Sequence, residues 1–178
     1  MSHEAVTSCF DRLDWPPRSA PNRGTMDTNN FQRPGSLSNA HVGREFEAAA
    51  RLFWAETGVR LQPSFAVPLG YNVKKLHRFD LGSDDPPILV ECKSYTWTSG
   101  GNSPSAKIRG MNEAMLHFAV APNRYRKVLF VLKHLRGNLS LAEHYVQTQG
   151  HLIVPGVEVW EFDLDAKHAV QVLPPSRP

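Results

Sequence analysis

The sequence has little of what marks secreted, disulfide-bonded or membrane-spanning proteins. Its two cysteines, Cys9 and Cys92, stand in unlike contexts, a polar stretch and an apolar one, so we expect no disulfide and a reducing cytoplasm. No apolar run approaches the roughly 20 residues of a membrane helix, so we expect no membrane partner. Glu4, Asp11 and Asp14 stand where a secretory signal would be apolar, so we expect no such signal.

Several catalytic and metal-binding signatures are also missing. There is no G-x-x-x-x-G-K-[ST] loop for ATP and no G-x-S-x-G nucleophile turn. The histidines show no ligand spacing such as H-E-x-x-H, and two cysteines cannot form a structural zinc site. His134, His144, His151 and His168 are the candidates for such ligands, and their spacing leads us to expect no zinc site.

Charge and composition divide the chain into three parts. Residues 1–37 are rich in Pro, Asn, Ser and Arg without any apolar period, which predicts a disordered or loosely attached arm. Residues 38–173 have the patterning of a single domain, and residues 174–178 read as a frayed tail. The formal net charge of +3 suits a polyanionic partner, and a mildly basic surface explains it equally well.

Apolar periodicity within 38–173 predicts the element order α, β, β, β, α, β, α, β. The predicted segments are a helix at 38–58, an extended piece or short strand at 59–70, strands at 75–81 and 87–93, a helix at 103–121, a strand at 126–133, a helix at 138–150 and a last strand at 157–163. Pro63 and Pro68 exclude the first extended segment from a central place in a sheet. This order favours an α/β fold with a central mixed sheet.

Two predicted helices carry clear signals. Ser38 or Asn39 caps the first and Gly58 ends it, whereas Ser103 caps the second and Pro104 occupies its first turn. The first apolar stripe comprises Val42, Phe46, Ala49, Ala50 and Phe53, and the second comprises Ile108, Met111, Met115 and Phe118.

Asp80, Glu91 and Lys93 lie inside two apolar strands, where unpaired charges are costly. Alternation predicts that Glu91 and Lys93 share one sheet face with Leu89 and that Ile88, Val90 and Cys92 share the other. It also predicts that Phe79 and Leu81 share a face. A symmetric hairpin would pair Leu81 with Val90, Phe79 with Cys92 and Asp80 with Glu91.

Two opposed carboxylates repel unless a cation lies between them. Asp and Glu oxygens suit a hard divalent ion such as Mg²⁺, with Mn²⁺ as a substitute. Lys93 would lie beside that ion and could stabilise the charge of a phosphodiester-cleavage transition state. The alternative is an Asp–Lys–Glu ion-pair cluster on a half-exposed sheet face.

The chain resembles the PD-(D/E)XK nuclease superfamily, which has the restriction-endonuclease-like fold. The resemblance rests on "FD" at 79–80, "VECK" at 90–93, "GREFE" at 43–47 and the element order from about 38 to 163. It implies an αβββαβ core and a Mg²⁺-dependent DNA endonuclease. No Gln-x-x-x-Tyr pair follows Lys93, which argues against the exonuclease-like branch.

The resemblance also implies roles for individual residues. Asp80 and Glu91 would ligate the metal together with the Cys92 carbonyl, Lys93 would position or activate the attacking water, and Glu47 would assist. Gly43 and Glu47 match the G-x-x-x-E pattern of the superfamily's first helix, whereas Glu45 does not fit that spacing.

The loop after Lys93 is a candidate DNA-contacting platform. Tyr95 and Trp97 alternate with polar residues there, and Lys107 and Arg109 follow at the start of the next helix. Gly43 would let a DNA backbone come close. A loop with one aromatic residue in the core is the open alternative.

The expected partners follow from this reading. They are DNA and either a second copy of the chain or a partner protein that supplies specificity, because a core of this size leaves little room for base reading. The alternative function is a nuclease-fold protein that binds DNA or a partner without cutting.

Overall fold

The computed structural model describes residues 39–98 and 104–173. The predicted arm at 1–37, the predicted caps Ser38 and Ser103, and the predicted tail at 174–178 lie outside these ranges. Within them the chain is mixed α/β, with a central six-stranded sheet flanked by helices. None of these helices is both long and apolar enough to cross a membrane.

Three α-helices and eight strands make up the described part of the chain. They are α1 (Asn39–Glu56), β1 (Gln62–Leu69), β2 (Lys75–Asp84), β3 (Pro87–Lys93), α2 (Ser105–Val120), β4 (Arg126–Leu132), β5 (Leu135–Arg136), β6 (Leu139–Ser140), α3 (Leu141–Gln149), a 3-10 turn (Gly150–Leu152), β7 (Val157–Asp163) and β8 (His168–Leu173).

The large sheet has the strand order β1-β2-β3-β4-β7-β8, and β5 and β6 form a small separate ribbon. β3, β4 and β7 are parallel neighbours, while the other pairs are antiparallel, so the sheet is mixed as predicted. β1 lies at one edge, which fits a strand containing Pro63 and Pro68 because an edge strand can lack ladder donors.

A core cluster lies on each face of the sheet. The α1 face joins Phe46, Ala50 and Trp54 of α1 to the sheet. The α2 face joins the buried stripe of α2 and residues of α3 to the other side. The strand residues of the α1 face are Leu81, Ile88, Val90, Cys92, Val128, Phe130, Phe162 and Ala169. The strand residues of the α2 face include Val67, Phe79, Leu89, Leu129, Val131 and Val159.

The helix predictions are largely confirmed. The predicted stripe of α2 is buried, with Ala114 added to it. α1 runs to Glu56, and Gly58 adopts a left-handed φ of +88° that ends it, as expected for a C-terminal glycine. The third helix begins at Leu141 rather than Asn138, because Ser140 and Glu143 form a reciprocal capping box.

Strand β8 was missed by the sequence analysis, which ended the sheet at residue 163. The Asp163 carboxylate accepts hydrogen bonds from the N–H groups of Asp165 and Ala166, and Lys167 takes a left-handed φ of +49°. This turn folds β8 back beside β7 at the sheet edge, where Ala169 is the one buried residue of β8. Because β8 has a single buried position, its sequence shows little alternation of apolar and polar residues.

Candidate functional site

Asp80 lies where the backbone pairing of β2 is interrupted. β1 and β2 pair on both sides of Ser64 and Asp80, but these two residues are left out of the ladder, and Ser64 has a φ of +53°. Across this point Phe79 packs on the α2 face and Leu81 on the α1 face. The prediction that Phe79 and Leu81 share a face is therefore wrong, because the local kink resets the alternation.

The kink also ends the hairpin ladder between β2 and β3. The ladder runs from Asp84↔Pro87 to Leu81↔Val90, so the predicted Leu81–Val90 pair is confirmed. The predicted Asp80–Glu91 and Phe79–Cys92 ladder pairs are not formed. Instead, the Cys92 N–H donates to Asp80 Oδ2 at 2.7 Å. The strands split here, and the Asp80 carboxylate is held by the backbone of β3.

Glu91 and Lys93 extend from β3 into this split. Glu91 is only 5% exposed, so its charge needs partners. Glu91 Oε2 accepts a hydrogen bond from Lys93 Nζ at 3.1 Å, and Glu91 Oε1 lies 3.2 Å from His77 Nε2 on β2. Each carboxylate oxygen therefore has a different partner, and Glu91 links the lysine to the histidine.

Glu47 reaches the same region from α1. An added Cβ at Gly43 would lie 4.0 Å from Ser94 Oγ, so the first half of α1 passes close to the end of β3. Glu47 lies one helical turn further on and is half-buried, whereas the competing Glu45 is exposed and pairs with His41 at 3.2 Å. The structure therefore brings Glu47, and not Glu45, towards Glu91 and Lys93.

The electrostatics reflect three carboxyl groups crowded around one lysine. Burial, followed by repulsion from Glu91, raises the pKa of Asp80 to about 7. Burial and the same repulsion raise the pKa of Glu47. Burial alone would lower the pKa of Lys93, but attraction to Glu91 and Asp80 outweighs it and raises this pKa. The group is short of positive charge, which is the condition that a bound cation relieves.

Cys92 packs in the core as predicted. It is 8% exposed on the α1 face, and burial, followed by the nearby Asp80 and Glu47 charges, raises the pKa of its thiol. A protonated thiol in this position is neither a nucleophile nor a metal ligand. The role of the Cys92 carbonyl as a metal ligand stays a prediction.

The predicted DNA-contacting residues fall into different environments. Arg109 is exposed, and Tyr95 is half-buried with its hydroxyl close to Gly110 of α2. Lys107 Nζ is turned back and donates to the Thr96 carbonyl, and burial lowers its pKa.

Trp97 lies in the core and not on the DNA-contacting surface that the platform interpretation predicted. It is 7% exposed, the Arg136 guanidinium lies 4.1 Å from its ring centroid, and the His144 ring lies 4.9 Å away. Its backbone N–H donates to His134 Nδ1 at 3.2 Å. The loop therefore agrees with the alternative interpretation, in which one of its aromatic residues packs in the core. Trp97 offers no free ring face on which a base could stack.

Two histidines near the site were missed by the sequence analysis. His77 on β2 and His117 on α2 have ring centroids 3.8 Å apart, and ligand atoms of His77, Glu91 and His117 all lie within 4.8 Å of one another. Burial and the neighbouring His77 lower the pKa of His117. The one available signal was local: His77 stands two residues before Phe79 and so shares its strand face.

The comparisons with known proteins identify no relative. No family model, no curated protein and no solved structure matches the chain.

Proposed function

We propose that this chain is a divalent-metal-dependent DNA endonuclease of the PD-(D/E)XK superfamily, with a site built from Asp80, Glu91 and Lys93. The observation that carries the proposal is the crowding of the carboxyl groups of Glu47, Asp80 and Glu91 around Lys93 at the split between β2 and β3. Such crowding is costly without a function, and perturbed carboxyl groups of this kind concentrate at catalytic sites.

The donor set fits a hard divalent cation. Asp80 and Glu91 supply carboxylate oxygens, and within the described ranges the Cys92 N–H engages Oδ2 of Asp80 while Oδ1 has no hydrogen-bond partner and could take a ligand. When bound there, Mg²⁺ would supply Lewis acidity towards a phosphodiester and its attacking water. Asp80, Glu91 and the Cys92 carbonyl would hold the ion.

In this proposal Lys93 acts on the reacting groups. Its ammonium lies 3.1 Å from Glu91 Oε2, and the raised pKa keeps it protonated at neutral pH. A fixed positive charge at this point orients an attacking water and stabilises the negative charge that develops on the phosphate. Glu47, held by α1 at the edge of the group, would accept a hydrogen bond from a metal-bound water.

The order of the elements supports the same proposal. The first six large elements follow the order α, β, β, β, α, β, which is the order of the superfamily's core. The half-buried Tyr95 follows the end of β3 and Arg109 is exposed on α2, and both could contact a DNA backbone in the cytoplasm.

One observation favours the non-cleaving alternative. Both oxygens of Glu91 already have partners within the chain, Lys93 on one side and His77 on the other, as in a structural ion-pair cluster. In that case the domain would bind DNA or a partner protein without a metal.

Metal titration and cleavage together separate the two functions. Purified protein freed of metal is titrated with Mg²⁺ and Mn²⁺ by calorimetry and incubated with supercoiled plasmid, linear duplex, single strands and a branched junction. We expect Glu91→Ala to lose both metal binding and cleavage. We expect Lys93→Ala to bind metal and DNA but to lose turnover by a few orders of magnitude, about 3–4 kcal/mol.

The exposed Asp165 in the β7–β8 turn supplies the matched control, Asp165→Asn. Unchanged metal affinity in Glu91→Ala, or wild-type turnover in Lys93→Ala, would refute the nuclease proposal and leave the ion-pair cluster.

A further inference from the structure

His77, Glu91 and His117 come from three different elements and meet beside the split. His77 lies on β2, Glu91 on β3 and His117 in the last turn of α2. The ligand atoms of the three residues lie within 4.8 Å of one another, and His77 Nε2 is 3.2 Å from Glu91 Oε1. Two imidazoles and one carboxylate so close together form a donor set of their own.

We propose that His77, Glu91 and His117 bind one borderline transition-metal ion of the Zn²⁺ or Co²⁺ class, at a position that shares only Glu91 with the predicted Mg²⁺ ligands. Imidazole nitrogen suits Zn²⁺, Co²⁺ and Ni²⁺, whereas Mg²⁺ prefers oxygen donors. Three protein ligands also leave at least one coordination position open, as in zinc sites that bind water or an exchangeable ligand.

One pair of the proposed ligands already stands at a coordinating separation. Ligands bound at about 2.0–2.1 Å in a tetrahedral site stand about 3.3 Å apart, and the His77–Glu91 pair at 3.2 Å already has this separation. The two imidazole rings lie with their centroids 3.8 Å apart and are inclined at 37°, so His117 would have to turn out of this stacked arrangement to aim a nitrogen at the same ion as His77.

Space for an open coordination position lies next to the histidines. A pocket of about 260 Å³ is lined by Leu69, Gly70, Lys75, Leu76, His77, His117 and Val120. Water or an anionic group could enter there and complete the coordination of the ion. Of the three proposed ligands, His77 and His117 line this pocket and Glu91 does not; among the described residues, Asp80, Glu47 and Lys93 do not line it either.

Glu91 divides its two oxygens between the two positions. Oε1 faces His77 and Oε2 faces Lys93, so an ion on the histidine side would use the oxygen that the lysine does not. Asp80 is not a member of the histidine group. Its replacement therefore separates the two sites experimentally, whereas replacement of Glu91 would damage both.

Titration of the full chain, freed of metal, with Co²⁺ and Zn²⁺ tests this proposal. Visible absorption of Co²⁺ reports a site with nitrogen ligands directly, and calorimetry with Zn²⁺ gives the affinity. We expect His77→Gln and His117→Gln each to weaken binding at least about tenfold, because even outer partners of metal ligands contribute about 10–100-fold. The exposed His151 supplies the matched control, His151→Gln, and Asp80→Asn tests independence from the Mg²⁺ site.

Retained Co²⁺ absorption in Asp80→Asn and His151→Gln, with its loss in both histidine variants, would support the site. Wild-type protein without Co²⁺ absorption, or histidine variants that bind as tightly as wild type, would overturn it, as would loss of binding in Asp80→Asn. Circular dichroism checks folding, and His77→Ala and His117→Ala provide second variants. Because no cleavage is measured, failure of the nuclease proposal would leave this result unaffected.

Discussion

Replacing Asp80 with asparagine should stabilise the metal-free protein at neutral and alkaline pH. In the folded state burial and Glu91 raise the Asp80 pKa from 3.8 to about 7. A carboxyl group whose folded pKa is raised stabilises the fold when it is protonated. That stabilisation is complete below about pH 4 and is lost as the pH rises through about 7. Asparagine mimics the protonated form at every pH.

The size of the expected stabilisation follows from the difference between the folded and the unfolded pKa of Asp80. About three pH units correspond to about 4 kcal/mol at 1.36 kcal/mol per unit. Asp80 is half-buried, and water near the split screens part of this cost, so we expect about 2–4 kcal/mol at pH 8. For a domain of this size that is a rise in Tm of about 5–12 °C. Asparagine keeps an oxygen that can accept the Cys92 N–H.

The assay is thermal and urea unfolding in EDTA between pH 4 and pH 8.5, for wild type, Asp80→Asn and the exposed control Asp165→Asn. The stability difference between Asp80→Asn and wild type should be small at pH 4, should grow through pH 5–7 and should level off above pH 8. Added Mg²⁺ should stabilise wild type and leave Asp80→Asn unchanged, since a ligand stabilises only the state that binds it.

Two results would refute this reasoning. If Asp80→Asn destabilises the protein at pH 8, the carboxylate is held by favourable contacts and its crowding is not costly. If the difference between variant and wild type does not depend on pH, Asp80 does not titrate in this range.

Glu47, Gly82 and Lys127 allow three further tests. Glu47→Gln should lower the cleavage rate at least about tenfold, which corresponds to roughly 1.4 kcal/mol. In the same plasmid assay, Glu45→Gln should cleave within about threefold of the wild-type rate, because Glu45 is exposed. The reverse ranking of the two variants would contradict the placement of α1. Gly82→Ala should cost about 1–3 kcal/mol in urea unfolding, because its Cβ would lie 2.6 Å from Phe65 Cγ; an unchanged midpoint would show that Phe65 moves freely. Lys127→Met should lower the free energy of unfolding by about 1–3 kcal/mol, because the buried Lys127 ammonium donates to two carbonyl groups at the C-terminal end of α2. Wild-type stability of this variant would mean that water takes over the hydrogen bonds of the ammonium group.

Local periodicity was sufficient to predict the framework. The stripe of α2 came from spacing alone, and every one of its predicted positions is buried. The Leu81–Val90 register came from turn residues between two apolar runs. These features depend on residues close in sequence, and the burial of apolar side chains imposes their period directly.

The kink at Asp80 could not be predicted from β2 alone. It depends on Ser64 in the neighbouring strand, whose left-handed backbone interrupts the pairing opposite Asp80. A pattern of alternating residues assumes an unbroken ladder, so it placed Phe79 and Leu81 on one face. The kink frees the Asp80 carboxylate to bind the Cys92 N–H, and the candidate site depends on that contact.

Lys127 shows a similar limit in an apolar run. The segment from Lys127 to Val131 is buried throughout, including the lysine. Its ammonium is tolerated because it donates hydrogen bonds to the carbonyl groups of Phe118 and Ala121 at the C-terminal end of α2. The sequence predicts a strand buried on both faces, but only the packing of the helix explains why a charge belongs in it.

The two histidines meet because two phenylalanines stack. Phe79 and Phe118 have ring centroids 5.6 Å apart at an interplanar angle of 13°. His77 lies two residues before Phe79 on the same strand face, and His117 precedes Phe118 in the helix, so the stacked pair brings the imidazoles together. Neither histidine has a sequence partner at ligand spacing, and each alone is an ordinary half-buried residue. Because Glu91 then joins them from the adjacent strand, the donor set is a product of tertiary packing, and a spacing motif cannot detect it.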